Sequence, residues 1–359
     1  MSQSVEPSKS TQRIDQHLQR YSRQMLCEDI GEEGQRKLLA SRVVLVGCGA
    51  LGTALANTLV RAGVGSLRIC DRDFIELNNL QRQILFDEED IAGQLPKAEA
   101  AARKLRRINS DVNVEPVVVD VNSTNVVALA EGAQVLLDGT DNFETRFLIN
   151  DLSVQSGVPW VYGAVVGTTG LCMTVVPGKT PCLRCVFDET PPPDVNPTCD
   201  TAGVLGTVVN VVAAMQATEV MKLLLGRMDE INPHMVSVDV WSGRFHSLKV
   251  QSARDQGNCS CCKRRDFAYL RGERGSSVTT LCGRNAVQVN LRTNAVLDFQ
   301  ALADRLRSVA RGEIRLNPYL LRATIDEYEF TLFADGRAIV QGTNDPEKAR
   351  SLYAKYVGS

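Results

Sequence analysis

Residues 44–52 read VLVGCGALG, and this stretch decides the fold class. A short apolar run leads into Gly47, Gly49 and Gly52, which have the spacing G-x-G-x-x-G, and apolar residues at helical spacing follow. A buried strand that turns tightly into a helix in this way leaves the first backbone N–H groups of the helix available to phosphate oxygens. The motif alone is weak evidence, since a tight turn that holds no ligand is the alternative, so the surrounding sequence has to decide.

The chain around this stretch alternates between strand and helix patterns. The strand candidates are 42–47, 66–71, 112–120 and 133–141, and the helix candidates between them are 50–63, 95–109 and 123–132. This order predicts an α/β fold with a doubly wound, mostly parallel sheet and a Rossmann-like nucleotide-binding half. After Pro159, Gly-rich strand patterns and a long apolar helix at 204–226 predict an antiparallel extension of the sheet.

Changes in composition divide the chain into three segments. Residues 1–16 are polar and are expected to be disordered. Residues 17–270 hold the alternating body. A cysteine-rich stretch then separates this body from residues 275–359, whose patterns predict a small α+β domain of unknown role. The last helix of that domain is expected to start with Asp345 as N-cap and Pro346 at its first position.

The composition argues against several classes of function. Apolar residues make up 44% of the 359 residues and charged residues 23%, as in ordinary globular proteins. The net charge of −2 gives no basic field for nucleic acid. The N-terminus lacks an apolar signal segment, and polar residues interrupt helix 204–226, which favours a buried or interface helix over a membrane span. We therefore expect a cytoplasmic protein with no nucleic-acid or membrane partner.

The residues after the second strand favour ATP over a dinucleotide. Asp71 closes that strand 19 residues after Gly52, where a carboxylate that binds ribose hydroxyls belongs. Asn79, Arg82 and Lys97 follow, and converging cations suit an enzyme that stabilises charge moving onto a triphosphate. An NAD-dependent oxidoreductase has no need of them. Ordinary surface charges, on an oxidoreductase or on a non-catalytic scaffold, are the alternative interpretation.

Two carboxylates mark the end of a later strand. The stretch LLDGTDN places Asp138 and Asp141 at the carboxyl end of that strand. Carboxylate oxygens combined with phosphate oxygens form the kind of ligand set that Mg²⁺ prefers. The sequence therefore predicts that a carboxylate here holds a magnesium ion.

The eleven cysteines include two C-x-x-C pairs, which indicates a reduced compartment and a metal site rather than secreted disulfides. Cys182 and Cys185 form one pair, and Cys259 and Cys262 form the other. Each pair is expected in a loop, and the four thiolates would fill a tetrahedral, structural Zn²⁺ site with no open position for catalysis. Cys261 lies inside the second pair and is expected to be a bystander.

Together these residues resemble the MoeB/ThiF family, the bacterial relatives of ubiquitin-activating enzymes. The matching stretches are RYSRQ (20–24), VGCGALG (46–52), DRDFIELNNLQRQ (71–83), PKAEAA (96–101), DGTDN (138–142), CLRC (182–185), TCDTAGVLG (198–206) and CSCC (259–262). They run in family order across residues 17–270. Position 50 holds an alanine, whereas much of the family has a third closely spaced glycine there.

The resemblance implies a reaction. ATP would adenylate the C-terminal carboxylate of a small ubiquitin-like sulfur-carrier protein that ends in Gly-Gly, with release of pyrophosphate. The acyl-adenylate would then accept sulfur from a separate donor, giving a thiocarboxylate for molybdopterin or thiamine synthesis. Activation of a different carrier, for tRNA thiolation or cysteine synthesis, or of a peptide C-terminus is the alternative. The tail lacks the cysteine loop of a rhodanese domain.

The resemblance also implies roles for individual residues. Asp71 would bind the ribose, Asp141 would hold Mg²⁺, and Arg23 would reach the γ-phosphate of ATP bound to the partner subunit of a homodimer. The phosphate contacts would come from Asn79, Arg82 and Lys97, and the remaining nucleotide contacts from Gly47, Gly49, Ala50, Gly52, Asp73, Gln83 and Asn142. Cys199 is interpreted either as a catalytic thiol that reacts with the activated carrier or as a structural loop cysteine.

Overall fold

The computed structural model describes residues 16–187, 202–274, 278–281, 285–289, 297–334 and 336–358. The predicted disorder of the N-terminus and both hypotheses for Cys199 lie outside these residues, except that Gln16 begins a 3₁₀ helix, Gln16–Tyr21. A first α-helix, α1 (Gly31–Leu39), follows it and precedes the glycine-rich stretch.

The alternating strands and helices predicted for the body are present. The strands are β1 (Arg42–Val46), β2 (Ser66–Asp71), β3 (Asn113–Val118), β4 (Val135–Asp138), β5 (Trp160–Val166), β6 (Thr169–Val175), β7 (Met235–Asp239) and β8 (Arg244–Leu248). The further helices are α2 (Ala50–Ala62), α3 (Glu88–Ala92), α4 (Lys97–Ile108), α5 (Val126–Leu129), α6 (Phe143–Ser156), α7 (Leu183–Val186), α8 (Gly206–Leu225) and α9 (Gln251–Asp255).

Within the described residues, the body forms an eight-stranded sheet with the order β3-β2-β1-β4-β5-β6-β7-β8. Strands β1 to β5 pair in parallel, and β5 to β8 pair antiparallel, which confirms the predicted doubly wound sheet and its extension. The strand order reverses between β1 and β4. In open α/β sheets, ligands bind in the crevice outside the carboxyl ends of the strands at such a point.

Side chains of β1 alternate between two cores, one on each face of the sheet. Val43 and Leu45 join a cluster formed with α2, α4 and α8, whereas Val44 and Val46 join a cluster formed with α6 and the cysteine-bearing segments. Because both faces are covered, β1 and β4 are apolar apart from Arg42 at the start of β1 and Asp138 at the end of β4. The carboxyl end of β1 is thereby held rigidly beneath the glycine-rich turn.

The turn from β1 into α2 requires glycine at two positions. Gly47 has a φ of +91°, and a Cβ atom there would lie 2.6 Å from the carbonyl oxygen of Gly139. A Cβ atom on Gly52 would lie only 2.1 Å from the carbonyl oxygen of Gly47. The glycine motif therefore lets the first turn of α2 approach both the end of β1 and the loop after β4.

Helix α8 is long and apolar enough to cross a membrane by length and composition alone, and half of that stretch is buried inside the protein. Polar residues that interrupt it are used within the fold. The Nε2 atom of Gln216 donates a hydrogen bond of 2.9 Å to the carbonyl oxygen of Asp138. Glu219 accepts one of 2.9 Å from the Thr174 hydroxyl. The helix thus packs on the sheet as the predicted buried helix.

The C-terminal residues form a second, antiparallel sheet, which confirms the predicted α+β domain. In the part of the tail that the structure describes, the strand order is β11-β12-β13-β14-β10-β9. The elements are β9 (Val278–Leu281), β10 (Ala286–Val289), α10 (Phe299–Leu306), β11 (Arg315–Leu316), β12 (Leu320–Ile325), β13 (Tyr328–Phe333), β14 (Ala338–Gln341) and α11 (Pro346–Tyr356). Asp345 caps α11 as predicted, since its side chain accepts hydrogen bonds from two backbone N–H groups of the first turn.

Two helices are shorter than the sequence pattern predicts. The segment 123–132 keeps only the four residues of α5 in a helix, because the Asn122 side chain accepts hydrogen bonds from the backbone and hydroxyl of Thr124. The apolar pattern of residues 299–312 predicts one helix, but α10 ends at Leu306, because Ala310 pairs with Ile325 at the edge of β12. Both differences arise from hydrogen bonds that helical periodicity does not report.

Candidate nucleotide site and cysteine cluster

Asp71 lies at the carboxyl end of β2 and reaches the glycine-rich turn. Its Oδ2 atom accepts a hydrogen bond of 2.6 Å from the backbone N–H of Cys48, and its Oδ1 atom accepts one of 2.7 Å from the N–H of Asp73. Burial raises the pKa of the Asp71 carboxyl, and the nearby Lys97 ammonium opposes that shift. The carboxylate is therefore held in one orientation beside the turn, as a group that binds ribose hydroxyls has to be.

Lys97 starts α4, and the structure joins it to Asp73. Its side chain is only 4% exposed, and Nζ lies 3.3 Å from Oδ2 of Asp73. The backbone N–H of Lys97 also donates to the carbonyl oxygen of Asp73 at 2.9 Å. The two residues predicted separately for the nucleotide site are thus a contacting pair, and the carboxylate fixes the ammonium near the end of β2.

The segment between β2 and α4 carries three more predicted residues. Asn79 ends a short 3₁₀ turn, Leu77–Asn79, and its Oδ1 atom accepts a hydrogen bond of 3.1 Å from the backbone of Glu76. The Arg82 guanidinium donates to the carbonyl oxygen of Asn78 at 2.7 Å. Both side chains are therefore placed by contacts within their own loop.

Gln83 is the residue of this segment that lies against the glycine-rich turn. Its Nε2 atom lies 3.9 Å from where a Cβ atom on Gly49 would be. The side chain is buried, and within the described residues its Oε1 atom has no hydrogen-bond partner. An unpaired buried acceptor beside the N-terminus of α2 leaves a polar position for a ligand, so this site fits a bound nucleotide.

The two carboxylates after β4 have different surroundings. Asp138 is fully buried, and its Oδ2 atom lies 3.0 Å from Nε of Arg146. Its Oδ1 atom accepts hydrogen bonds from the backbone and hydroxyl of Thr140 at 2.9 and 2.7 Å. Asp141 is exposed, and Asn142 caps α6 by accepting from the N–H of Thr145 at 2.8 Å. Of the two acids, Asp141 is thus the one open to a metal ion.

Arg146 is a residue that sequence reasoning missed. It is buried, donates hydrogen bonds to the carbonyl oxygens of Thr140 and Gly163, and lies between the rings of Phe143 and Tyr162. Burial raises the pKa of the Asp138 carboxyl, and the Arg146 charge opposes the shift. The arginine thereby fixes the loop that presents Asp141. The sequence signal that could have found Arg146 is its position as the one basic residue in α6, among apolar neighbours.

Arg23 is exposed and follows the 3₁₀ helix at the start of the described chain. Its neighbour Gln24 ties this segment to the body, since Nε2 of Gln24 donates to Oε1 of Gln35 at 2.7 Å and to the carbonyl oxygen of Ala62 at 2.9 Å. The arginine is therefore presented on the surface from an anchored segment, and its proposed role across a dimer interface stays a prediction.

The four cysteines of the two C-x-x-C pairs come together. Their sulfur atoms lie within 4.8 Å of one another, with Cys182 and Cys259 at 3.6 Å and Cys185 and Cys262 at 3.4 Å. These are free thiols at distances too long for disulfide bonds. Sulfur atoms around one tetrahedral Zn²⁺ ion lie about 3.8 Å apart, which follows from a Zn–S bond of about 2.3 Å. The cluster therefore fits a metal ion.

Helix α6 supports both halves of this cluster. Asn150 accepts a hydrogen bond of 2.7 Å from the N–H of Leu183 and donates to the sulfur of Cys261 at 3.3 Å. Cys261 lies outside the four-thiol group, in agreement with its interpretation as a bystander. The first pair does not lie in a plain loop, because Cys185 belongs to helix α7. Cys27, which belongs to neither pair, is exposed.

The fold and these side chains define a doubly wound α/β protein with a candidate nucleotide site at the switch point of its sheet. The chain belongs to the ThiF family, which it matches over residues 21–261. It is 46% identical over 339 residues to the sulfur carrier protein ThiS adenylyltransferase of Bacillus subtilis, an alignment that covers 94% of this chain and 99% of that protein.

Other relatives match a smaller part of the chain. The SAMP-activating enzyme E1 of Haloferax volcanii is 41% identical over 245 residues, which cover 68% of this chain and 88% of that protein. Among solved structures, Escherichia coli MccB with ATP aligns with a TM-score of 0.57 and 26% identity over 68% of this chain and 74% of that one. The Bacillus relative thus extends into the C-terminal domain, whereas these two alignments cover about as much of the chain as its body.

Proposed function

We propose that this protein uses ATP to adenylate the C-terminal glycine carboxylate of a ubiquitin-like sulfur carrier of the ThiS type. The observation that carries the proposal is the candidate nucleotide site at the end of β2, where Asp71 contacts the glycine-rich turn and Asp73 and Lys97 form a pair beside it. The choice of carrier follows the Bacillus relative, which is similar over nearly its whole length.

The chemistry is an attack of the carrier carboxylate oxygen on the α-phosphorus of ATP. A P–O bond to the carrier forms, the bond to the β-phosphate oxygen breaks, and pyrophosphate leaves with the negative charge. No general base is needed, because a carboxylate is already ionised near neutral pH. Lys97, Arg82 and Asn79 would stabilise the charge that develops on the leaving group, and Asp71 would orient the ribose.

Asp141 would hold a Mg²⁺ ion, which offsets phosphate charge when it is bound. The exposure of Asp141 after the carboxyl end of β4 supports its role as the metal ligand. The other acid, Asp138, is already paired with Arg146. The sulfur geometry of the cysteine cluster supports Zn²⁺ as its metal, held for structure because four thiolates leave no open position. Four free thiols also support a cytoplasmic location.

Three further assignments complete the proposal. Arg23 would act on ATP bound to the partner subunit of a homodimer, and its surface position is compatible with that role. A separate protein would donate sulfur at the oxidation level of sulfide, which forms a C–S bond to the carrier as the bond to AMP breaks, so that a thiocarboxylate and AMP are the products. Cys199 would supply the thiol if a covalent step to the carrier takes place.

The test is ATP–pyrophosphate exchange with a ThiS-type carrier ending in Gly-Gly. We expect exchange that depends on the carrier and disappears when the matched carrier lacks its last glycine. Exchange supported only by a different carrier, or by a short peptide, would replace the proposed substrate. Absence of exchange with every carrier and peptide would refute adenylation.

A further inference from the structure

The C-terminal domain contacts the nucleotide site through Phe74. This residue follows Asp73 on the segment after β2 and is 6% exposed. Its apolar cluster consists of residues from the tail sheet, namely Ala286, Leu320, Phe333 and Ile339. The guanidinium of Arg322, on β12, lies 3.9 Å from the centre of the Phe74 ring. A side chain of the nucleotide segment is therefore buried in the other domain rather than in its own.

Phe74 is directly coupled to the start of α4. It forms an antiparallel bridge with Pro96, the residue before Lys97. The backbone N–H of Lys97 donates to the carbonyl oxygen of Asp73 at 2.9 Å. Fixing the Phe74 ring thus fixes the two short chain segments that present Asp73 and Lys97 to the site.

A second contact holds the other side of Asp73. Gln288, on β10 of the tail, is buried and donates from Nε2 to Oδ2 of Asp120 at 3.2 Å. The other oxygen of Asp120 lies 2.9 Å from Nη1 of Arg72, and Nε of Arg72 lies 3.8 Å from Asp73. Phe74 and Arg72, the two neighbours of Asp73, are therefore both tied to the tail sheet.

Each domain has its main apolar core made from its own residues, apart from the small cluster at Phe74. The tail has its own apolar cluster between its sheet and helices α10 and α11, formed by residues of the tail alone. The body has two clusters of its own on the faces of its sheet. Phe74 completes a further small apolar cluster on the tail sheet, and the contacts at Phe74 and Asp120 converge on one short stretch of the candidate nucleotide site.

We propose that the C-terminal domain braces the nucleotide segment, with Arg322 and Gln288 as positioning residues that hold Asp73 and Lys97 in place for ATP. This inference rests on the proposed ATP-dependent function and assigns a role to the tail within it. A braced segment loses less conformational freedom when ATP binds, so the tail raises the affinity for ATP without touching it.

The test compares Arg322→Ala with Arg322→Lys in the full chain, using a fluorescent ATP analogue and carrier-dependent exchange. Arg322→Ala removes the cation that stacks on Phe74, so we expect the Kd for the analogue and the KM for ATP to rise about fivefold. The kcat and the KM for the carrier should stay within about twofold of the wild-type values. Arg322→Lys should restore most of the affinity, because it keeps a cation over the ring. Gln288→Ala should weaken ATP binding in the same direction.

Arg311→Ala is the matched control, since this arginine is 71% exposed and pairs with Asp326 within the tail. It should bind the analogue like the wild type. Unchanged Kd and KM in Arg322→Ala, or a lowered melting temperature with unchanged Kd, would overturn the brace. Binding of the analogue needs no carrier, so it tests the role of the C-terminal domain separately from adenylation. A wild type that bound ATP but activated no carrier would contradict the proposed function, and the Kd values of the variants would still test the role of the C-terminal domain.

Discussion

At the scale of single residues, Gly52 is the position where one added carbon should disturb the nucleotide turn most. In Gly52→Ala the new Cβ atom would lie 2.1 Å from the carbonyl oxygen of Gly47, so α2 has to move away from β1. We expect the free energy of unfolding to fall by about 1–3 kcal/mol, as for other overpacked sites, and ATP binding to be lost. Urea unfolding and titration with an ATP analogue measure the two effects.

Gly49→Ala provides the comparison within the same motif. A Cβ atom there would have Gln83 Nε2 at 3.9 Å as its nearest neighbour, so it has room. Its free energy of unfolding should lie within about 1 kcal/mol of the wild type, the cost expected of a small volume change. If the two variants were equally destabilised, close approach would not be the reason for glycine at position 52.

Arg146 offers a second test, which depends on pH. Arg146→Met removes the charge that opposes the effect of burial, so the pKa of Asp138 rises further in the folded protein. The unfolded chain then releases this proton at a lower pH than the folded chain, and stability falls as pH rises above the ordinary carboxyl range. In Arg146→Met, the buried Asp138 carboxylate has lost its ion-pair partner, so we expect the free energy of unfolding to fall by about 3–5 kcal/mol near neutral pH. The loss should be smaller near pH 4, where the carboxyl is protonated in the folded variant.

Urea unfolding at several pH values checks this expectation. Arg36→Met is the control, because Arg36 forms an exposed pair with Glu32 and should contribute less than about 1 kcal/mol at any pH. A cost for Arg146→Met that did not change with pH would show that lost packing against Phe143 and Tyr162, rather than the charge, dominates.

At the scale of elements, the cysteine cluster joins α7 to the turns after α9. Cys185→Ser removes one of four ligands, so we expect bound zinc to fall from about one ion per chain to near zero, with a lower melting temperature. Elemental analysis of the purified variant gives the metal content. Cys261→Ser is the matched control and should keep its zinc, since Cys261 lies outside the cluster. If Cys261→Ser lost its zinc and Cys185→Ser kept it, then Cys261 would be a ligand in place of Cys185.

Element boundaries were predictable where the signal is local. Strands β1 and β2 and helix α2 lie where the apolar runs and the glycines predict them. A strand buried on both faces requires a run of apolar residues, and the tight turn after β1 requires glycines, so both can be read from the local sequence. Helices α5 and α10 fall short of their patterns. The side chain of Asn122 and the strand partner of Ala310 decide their ends, and these contacts compete with helical hydrogen bonds.

At the scale of the whole molecule, the sequence predicted the fold class and the members of the candidate site better than their contacts. Asp71, Lys97 and the four cysteines were identifiable because their chemistry and spacing are distinctive. The Asp138–Arg146 pair and the contact of Phe74 with Arg322 were not. Neither contact follows from periodicity along the chain: Arg146 reaches Asp138 from the helix that follows its strand, and Phe74 and Arg322 lie in different domains.

The cysteine cluster also has a consequence in the physics of chain topology. Cys182 and Cys259 are 77 residues apart, so a metal ion at the cluster closes a loop that contains α8 and the hairpin of β7 and β8. A cross-link over such a loop lowers the entropy of the unfolded chain by an amount worth about 4–5 kcal/mol in the loop-closure relation. With the ion bound, a single cut of the backbone inside the loop would leave the two fragments linked even after the fold is lost in denaturant, and a chelator would then separate them.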